Sequence, residues 1–333
     1  MKVLIIGGSR NLGPSLIKQF LERGASVAVF NRGITPIALP CAVEQLKGDR
    51  TIPEQLRAAV RGRDFDVAVD TTLYKGEEAK AAIEIFSDHV GRYIFISTGQ
   101  VYLVREGLKK PYKEQDYAGP VMSEPARDRR YDFDNWLYGV DKRGAENVFA
   151  EAWETKRFPY VSLRLPMVHS ERDHYHRIEA YLLRLRDGGP ILLPKGEDPL
   201  VRHVYGDDVV TSVEKAISNG KASGRAYNIC QNEIVPLSDF LRMLAEMENA
   251  ELRVRYVPRA VLENYELIPD CSPFSGSWMS MLDNQRSIHE LGMSYTPMAE
   301  YLRRLIEYFG VKRNAGISGY RRRALELEIA GAR

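Results

Sequence analysis

The chain has 333 residues, of which 44% are apolar and 28% charged, and its formal net charge is +2. Those values belong to a globular protein with a substantial core, in one large or two smaller domains, and they create no general field for nucleic acid or an anionic membrane. Cys41, Cys230 and Cys271 are far apart and form no C-x-x-C pair, which argues against a disulfide framework or a zinc site and fits a reducing, cytoplasmic setting. No apolar run approaches the ~18 residues of a membrane span. The run Val3–Ile6 is also too short for a signal peptide and reads as a buried strand.

Strand and helix alternate through the first two-thirds. "KVLIIG" is a continuous apolar run ending in glycine, as expected of a strand buried on both faces. "PSLIKQFLERG" follows, with Leu16, Ile17, Phe20 and Leu21 on one helical face, Pro14 in the first turn and Gly24 as the C-terminal cap. "SVAVFNRG" is a second strand, "VEQLKGDR" holds a short third, and "DFDVAVDTT" is a fourth. The helix "EEAKAAIEIFSDHV" and the strand "RYIFISTG" complete the rhythm, which predicts an α/β fold of the Rossmann type with a doubly wound parallel sheet.

Residues 103–135, with Pro111, Pro120 and Pro125, read as a surface excursion, and a helix follows from about Asn135 to Thr155. "YVSLRLPMV" is a further strand. Beyond it the helices "HRIEAYLLRLRDGG", "DDVVTSVEKAISNG" and "LSDFLRMLAEME" mix with short strands and no β-α repeat resumes. The expected domains are therefore a dinucleotide-binding unit over 1–168, a smaller substrate lobe over 169–310 with some return to the core, and a tail over 311–333. That tail reads either as a solvated helix or as an interface or lid segment.

"GGSRNLG", Gly7 to Gly13, follows the first strand and opens the first helix. Glycines here permit positive φ, let the backbone approach a pyrophosphate and let the helix pack against the strand, while the helix N-terminus offers unpaired N–H groups. Gly7, Gly8 and Gly13 keep this device, and Ser9, Arg10, Asn11 and Leu12 are expected beside the cofactor. An NAD site ends its second strand in an acid that holds the ribose hydroxyls. Here the position carries Asn31 and then Arg32. A carboxylate repels a 2′-phosphate, whereas an arginine pairs with it. Arg10 either reaches the same region or covers the adenine, so NADP is favoured over NAD. Asp49 is placed to accept from the adenine amino group, and Thr71 and Thr72, after the fourth strand, join the expected cofactor contacts.

Tyr138 and Lys142 lie four apart, on one face of a helix. A phenol of pKa ~10 is a poor acid–base group at neutral pH, and a neighbouring ammonium is expected to lower it. A second Y-x-x-x-K, Tyr308 to Lys312, is set aside because Gly310 interrupts it and it lies beyond the nucleotide-binding half. The fifth strand ends in "ISTGQVY", which brings Ser97 or Thr98 to the C-terminal sheet edge, where open α/β sheets bind ligands.

With these residues the sequence resembles the extended short-chain dehydrogenase/reductase superfamily, and within it the NAD-dependent epimerase/dehydratase group with a G-G-T-R-x-x-G loop. The likeness runs from Met1 to about Phe309 and rests on "GGSRNLG", "VFNRG", "FISTGQVY", "YGVDK", "LRLPMV", "RHVYGDDVV" and "ELGMSYTP". It implies a catalytic set of Thr98, Tyr138 and Lys142, and a nicotinamide pocket lined by Leu165 and Val168. Dehydratases of this kind carry Asp-Glu after the threonine; Gly99 and Gln100 stand there instead, which argues against 4,6-dehydration. The resemblance further implies a nucleoside-diphosphate sugar as substrate and a homodimer formed through the "EEAKAAIEIFSDHV" and Tyr138 helices. Arg177, Lys195 and Arg202 are candidate cations for that substrate, with Arg202 first, and Gln100 and His169 are further candidate contacts; His203 and the turn "CSPFSGSW" are also considered. Three functions compete: a nucleotide-sugar epimerase, an NADP-dependent reductase or dehydrogenase of a small-molecule carbonyl, and a non-catalytic nucleic-acid-associated protein. The intact Thr98, Tyr138 and Lys142 and the near-neutral charge speak against the third.

Overall fold

A computed structural model describes residues 1–311 and 316–331. Its centre is a seven-stranded, all-parallel sheet. The strands β1 (Lys2–Ile6), β2 (Ser26–Asn31), β3 (Val43–Lys47), β4 (Phe65–Asp70), β5 (Val90–Thr98) and β6 (Tyr160–Leu165) are joined by a late strand, Arg225–Asn228. The spatial order is Arg225–Asn228, β6, β5, β4, β1, β2, β3, so the chain reverses direction across the sheet between β1 and β4. Both faces are covered, which is why Val3, Leu4, Ile5 and Ile6 of β1 are fully buried.

On one face α1 (Leu12–Glu22) buries Leu16, Ile17 and Phe20, each worth about 1.5–3 kcal/mol once removed from water. Gly24 adopts φ +71° and its N–H bonds the Leu21 carbonyl, closing the helix as the sequence suggests. On the other face α3 (Gly76–Phe86) packs along the 27-residue α5 (Arg130–Lys156). Two elements were not anticipated: α2 (Pro53–Val60), and a short α4 (Gln100–Leu103) directly after β5. The helix expected from Asn135 starts five residues earlier, at Arg130.

"YVSLRLPMV" is not one strand. β6 stops at Leu165, because Pro166 has no N–H to continue the ladder, and Val168–His169 instead pairs with Val204–Tyr205. The second lobe packs α6 (Arg177–Arg186) with the helices Leu237–Met247 and Met298–Val311 around Phe240, Phe274 and Tyr301.

The described part of the tail is not a solvated helix. Arg323–Ile329 docks Leu325 and Ile329 onto Leu192, Val257, Leu262 and Leu267. Glu326 accepts from fully buried Arg184 through Nε at 2.9 Å and Nη2 at 2.5 Å, and Arg323 bonds both Glu326 and Asp187. Arg323 and Glu326 of "RRRALELE" serve an internal ion network. Lys312 of the second Y-x-x-x-K lies outside the described residues.

Candidate active site

A cleft of about 890 Å³ opens along the C-terminal edge of the sheet, across the β1–β4 reversal. Gly7, Ser9, Arg10, Asn11, Leu12, Asn31, Arg32, Asp49, Thr71, Thr72, Ser97, Thr98, Gln100, Tyr138, Lys142, Leu165, Val168 and Arg177 all line it. Residues spread over 170 positions of sequence thus share one wall system.

At the loop, Gly7 has φ +97°, and a Cβ there would meet Thr71 Oγ1 at 2.4 Å. A Cβ on Gly13 would lie 2.2 Å from the Gly8 carbonyl carbon, so the start of α1 sits directly on the loop backbone. Gly13 supports the loop from behind and is not itself on the cleft wall. Asn11 takes φ 46°, and its Oδ1 accepts from Ser170 Oγ at 2.8 Å, tying the loop to the segment before α6. Thr71 donates to the Ile6 carbonyl at 3.0 Å and so joins the ends of β1 and β4.

At the adenosine end, Asn31 Oδ1 accepts from the Gly33 N–H and from Gln45 Nε2. Arg32 projects into solvent with its guanidinium 4.0 Å from the Asp49 carboxylate. The Asp49 carboxyl is held below its ordinary value, chiefly by hydrogen bonds from Thr51. Beneath them Arg50 and Asp70 form a buried pair at 2.6 Å, and Tyr93 donates to the same carboxylate. Burial opposes the Asp70 charge, but Arg50 prevails and keeps the carboxyl below its usual range.

Three buried polar atoms of cleft residues have no protein partner: Asn31 Nδ2, Arg50 Nε and Gln100 Oε1. Such atoms cost about 1–3 kcal/mol each until a ligand or water meets them. Two donors at the adenosine end, beside a glycine cradle at a helix N-terminus, fit a dinucleotide. Among the described residues no group of His, Cys, Asp and Glu is arranged to hold a metal ion.

Midway along the cleft, half-buried Tyr138 and Thr98 line the same wall. The expected lowering of the phenol by Lys142 is not observed. Burial raises the Tyr138 hydroxyl well above its ordinary value, with the nearby Thr98 hydroxyl opposing only in part. The reason is geometric: Lys142 Nζ donates to the carbonyls of Leu73 at 2.6 Å and Ile96 at 2.9 Å, and lies 5.9 Å from the Tyr138 ring centre. Burial pulls that ammonium down to about 8 against the attraction of Asp70. Ser97 is spoken for, because its hydroxyl bonds Glu146 at 2.5 Å, and Glu146 in turn pairs with buried Arg164. Thr98 is the hydroxyl that faces Tyr138.

Position 99 has a structural reason for glycine. A Cβ there would lie 2.2 Å from Ser280 Oγ, so a carboxylate side chain at this position and Ser280 exclude one another. Gln100 next to it donates through Nε2 to Asn135 Oδ1 at 2.8 Å.

Three expected substrate contacts are not brought to the cleft. Arg202 is buried elsewhere, donating to the carbonyls of Gln231 and Leu282. His169 is enclosed in the second lobe, bonded to His203 at 2.7 Å and stacked on Phe274. Burial, with Arg177 nearby, takes its imidazole down to about 3. Lys195 is exposed and away from the cleft wall. Arg177 does reach the cleft, but it bonds Asp173 and lies over the Tyr175 ring at 4.3 Å. The structure adds Arg50, Tyr74, Tyr131, Asn135, His174, Tyr175 and Ser280, and Trp278 from the quoted serine-glycine turn. Of these, only Arg50, adjacent to Asp49 in "GDR", and Trp278 stood within a stretch the sequence had marked.

Residues 3–230 match the NAD dependent epimerase/dehydratase family, and the chain belongs to that family. It is 25% identical over 258 residues to the chloroplast stem-loop binding protein of 41 kDa b of Arabidopsis thaliana, covering 74% of this chain and 62% of that protein. It is 22% identical over 240 residues to the 2'-dehydrokanamycin reductase of Streptomyces kanamyceticus, covering 71% and 63%. The matched stretch is thus a little under two thirds of either relative's length. In fold it resembles the UDP-glucose 4-epimerase of Thermotoga maritima, with a TM-score of 0.75, 18% identity, and coverage of 94% of this chain and 100% of that one. Among the described residues no helix is long and apolar enough to cross a membrane.

Proposed function

We propose that this chain is an NADPH-dependent reductase of a small-molecule carbonyl. The observation that carries the proposal is geometric: Thr98, Tyr138 and Lys142 share the wall of a cleft whose other end offers Arg32 and Asn31 in place of an acid. A protonated phenol suits delivery of a proton to a carbonyl oxygen; alcohol oxidation needs the phenolate. A reductase named among the relatives is consistent with this direction.

In this proposal Gly7 to Gly13 and the N-terminus of α1 hold the pyrophosphate. Arg10, Asn31 and Arg32 surround the 2′-phosphate, Asp49 and Arg50 face the adenine side, and Leu165 and Val168 flank the nicotinamide. Bound there, the dinucleotide supplies the hydride. Thr98 orients the substrate carbonyl, Tyr138 gives its proton to the carbonyl oxygen, and the Lys142 ammonium holds the ribose side of the site. The cofactor unit is residues 1–168 with the strand Arg225–Asn228, and the substrate lobe is the remainder of 169–310. The functional unit is a homodimer in a reducing cytoplasm, and it does not act on nucleic acid; a solution mass equal to one 37.9 kDa chain counts against the dimer.

An epimerase would use the same three residues, and the family matched by residues 3–230 is named for epimerases and dehydratases. The two are separated by cofactor traffic, because an epimerase returns the hydride it takes whereas a reductase consumes NADPH. Stoichiometric NADPH oxidation by a ketone, abolished in Tyr138→Phe, is the expected result. Turnover that leaves the nucleotide pool unchanged contradicts it.

A further inference from the structure

We infer that the substrate is an uncharged, phosphate-free ring ketone bearing hydroxyl groups, seated between Tyr131, Tyr175 and Trp278. This rests on the reductase proposal in placing the reacting carbonyl at Thr98 and Tyr138 and in giving Arg10 to the 2′-phosphate of NADPH.

The first observation is charge. Arg32 and Arg50 lie beside Asn31 and Asp49, Arg10 stands on the glycine loop near enough to bear on His174 and is given to the 2′-phosphate in the reductase proposal, and Lys142 is engaged by two carbonyls. Arg177 is the remaining lysine or arginine among the described residues that line the cleft, and Asp173 neutralises it. His174 beside it is held in its neutral form, mainly by burial, and Asp134 is paired with exposed Arg130. A diphosphate brings at least two negative charges and needs donors that are free to meet them. The substrate half has none to spare.

The second observation is shape. Tyr131 is 39% exposed and Tyr175 57% exposed, although both line the cleft. Tyr175 lines the same cleft as Tyr74 and Tyr138, with its ring centre 3.9 Å from that of His174. Its segment is anchored at both ends, by the Ser170–Asn11 bond and by Asp173 Oδ1, which accepts from the Tyr175 N–H and from Arg177. Trp278 is fixed by its indole N–H donating to Asp132 at 2.8 Å, which leaves its ring as a wall. Flat aromatic walls of this kind cover the C–H faces of a ring.

The third observation is polarity beside the reacting atoms. Gln100 Oε1 is buried with no donor, and its amide orientation is set by Asn135. It calls for a hydroxyl donor on the substrate, next to the carbonyl held by Thr98. An aliphatic acyl chain would leave Gln100 unmet and strand the aromatic walls; a hydroxylated ring satisfies both.

The test uses the whole chain loaded with NADPH. The probes are a panel of hydroxylated cyclohexanones, including 2-keto-myo-inositol, together with UDP and UDP-glucose. NADPH oxidation by a panel member, with no competition from millimolar UDP, is expected. Tyr175→Ala should raise KM for that ketone about tenfold with kcat within about threefold, because it removes stacking area and no reacting group. NADPH affinity should not move. Saturable binding of UDP or UDP-glucose with a Kd below about 0.1 mM overturns the inference, as does a panel that leaves NADPH untouched. Either result leaves the cofactor assignment standing if NADPH still binds. Failure of NADPH to bind the wild-type chain would instead remove the reductase proposal.

Discussion

Arg32→Glu is the perturbation that bears most directly on the cofactor. Arg32 is 63% exposed, and its nearest ion partner is Asp49 at 4.0 Å, so no buried network depends on it and the fold should survive. A charge-assisted hydrogen bond to phosphate contributes about 1.5–3 kcal/mol, and exposure places this one at the lower end. Reversing the charge adds repulsion of about 0.8 kcal/mol per unit of phosphate charge at about 5 Å in water. For a 2′-phosphate near charge −2 the sum is about 3 kcal/mol, or roughly 100-fold in Kd. NADH, which has only hydroxyls there, should change by no more than about threefold. Titration of both nucleotides by calorimetry, on wild type and variant, reads the difference. Equal losses for the two, or a wild type that prefers NADH, would refute the 2′-phosphate assignment.

Tyr138→Phe should lower kcat by at least about 100-fold while NADPH affinity stays within about twofold, since only the proton donor is removed; unchanged turnover would contradict its role. Turnover should hold up to about pH 8 and fall above it as the Lys142 ammonium is lost, read from a pH–rate profile of kcat. Acid should destabilise the second lobe through His169 and His203. Both are held below their ordinary value in the native state, His169 at about 3, so the unfolded chain binds more protons below pH ~6.5 and stability falls from there toward pH 3, by up to about 1.4 kcal/mol per pH unit per proton. His203→Gln should flatten the acid limb of a melting-temperature profile. Glu326→Gln should cost about 3 kcal/mol in urea unfolding, because it leaves buried Arg184 without its counter-charge; a loss within about 0.5 kcal/mol would mean the tail is not part of the fold.

The fold was legible because its signals are local. "KVLIIG", "SVAVFNRG" and "RYIFISTG" are apolar runs closed by turn residues, and each became a strand of the parallel sheet. α2 was missed because "PEQLRAAV" is only eight residues with two buried side chains, too short for periodicity to stand out. That Gly7, Asn31 and Thr98 share one cleft could be read because all lie at the C-terminal ends of strands that the topology brings to one edge. The substrate half could not. Tyr131, Tyr175 and Trp278 meet through the folding of the second lobe over the first, and nothing in "DHYHR" or "RRYDF" announces it. Arg202 and His169 show the converse error: residues chosen for their chemistry turned out to satisfy buried carbonyls and a buried imidazole. The Lys142 effect on Tyr138 failed for a related reason, since helical spacing set the two side chains on one face but did not reveal the carbonyls of Leu73 and Ile96.

The most direct measurement is the nucleotide carried by the purified, untreated chain, released by denaturation and identified by mass spectrometry, with a parallel titration of NADPH and NADH. The account predicts little retained nucleotide and reversible binding that favours NADPH, as for a cofactor consumed and exchanged each turnover. NAD retained near one per chain would contradict it, and would mean a cofactor recycled in place.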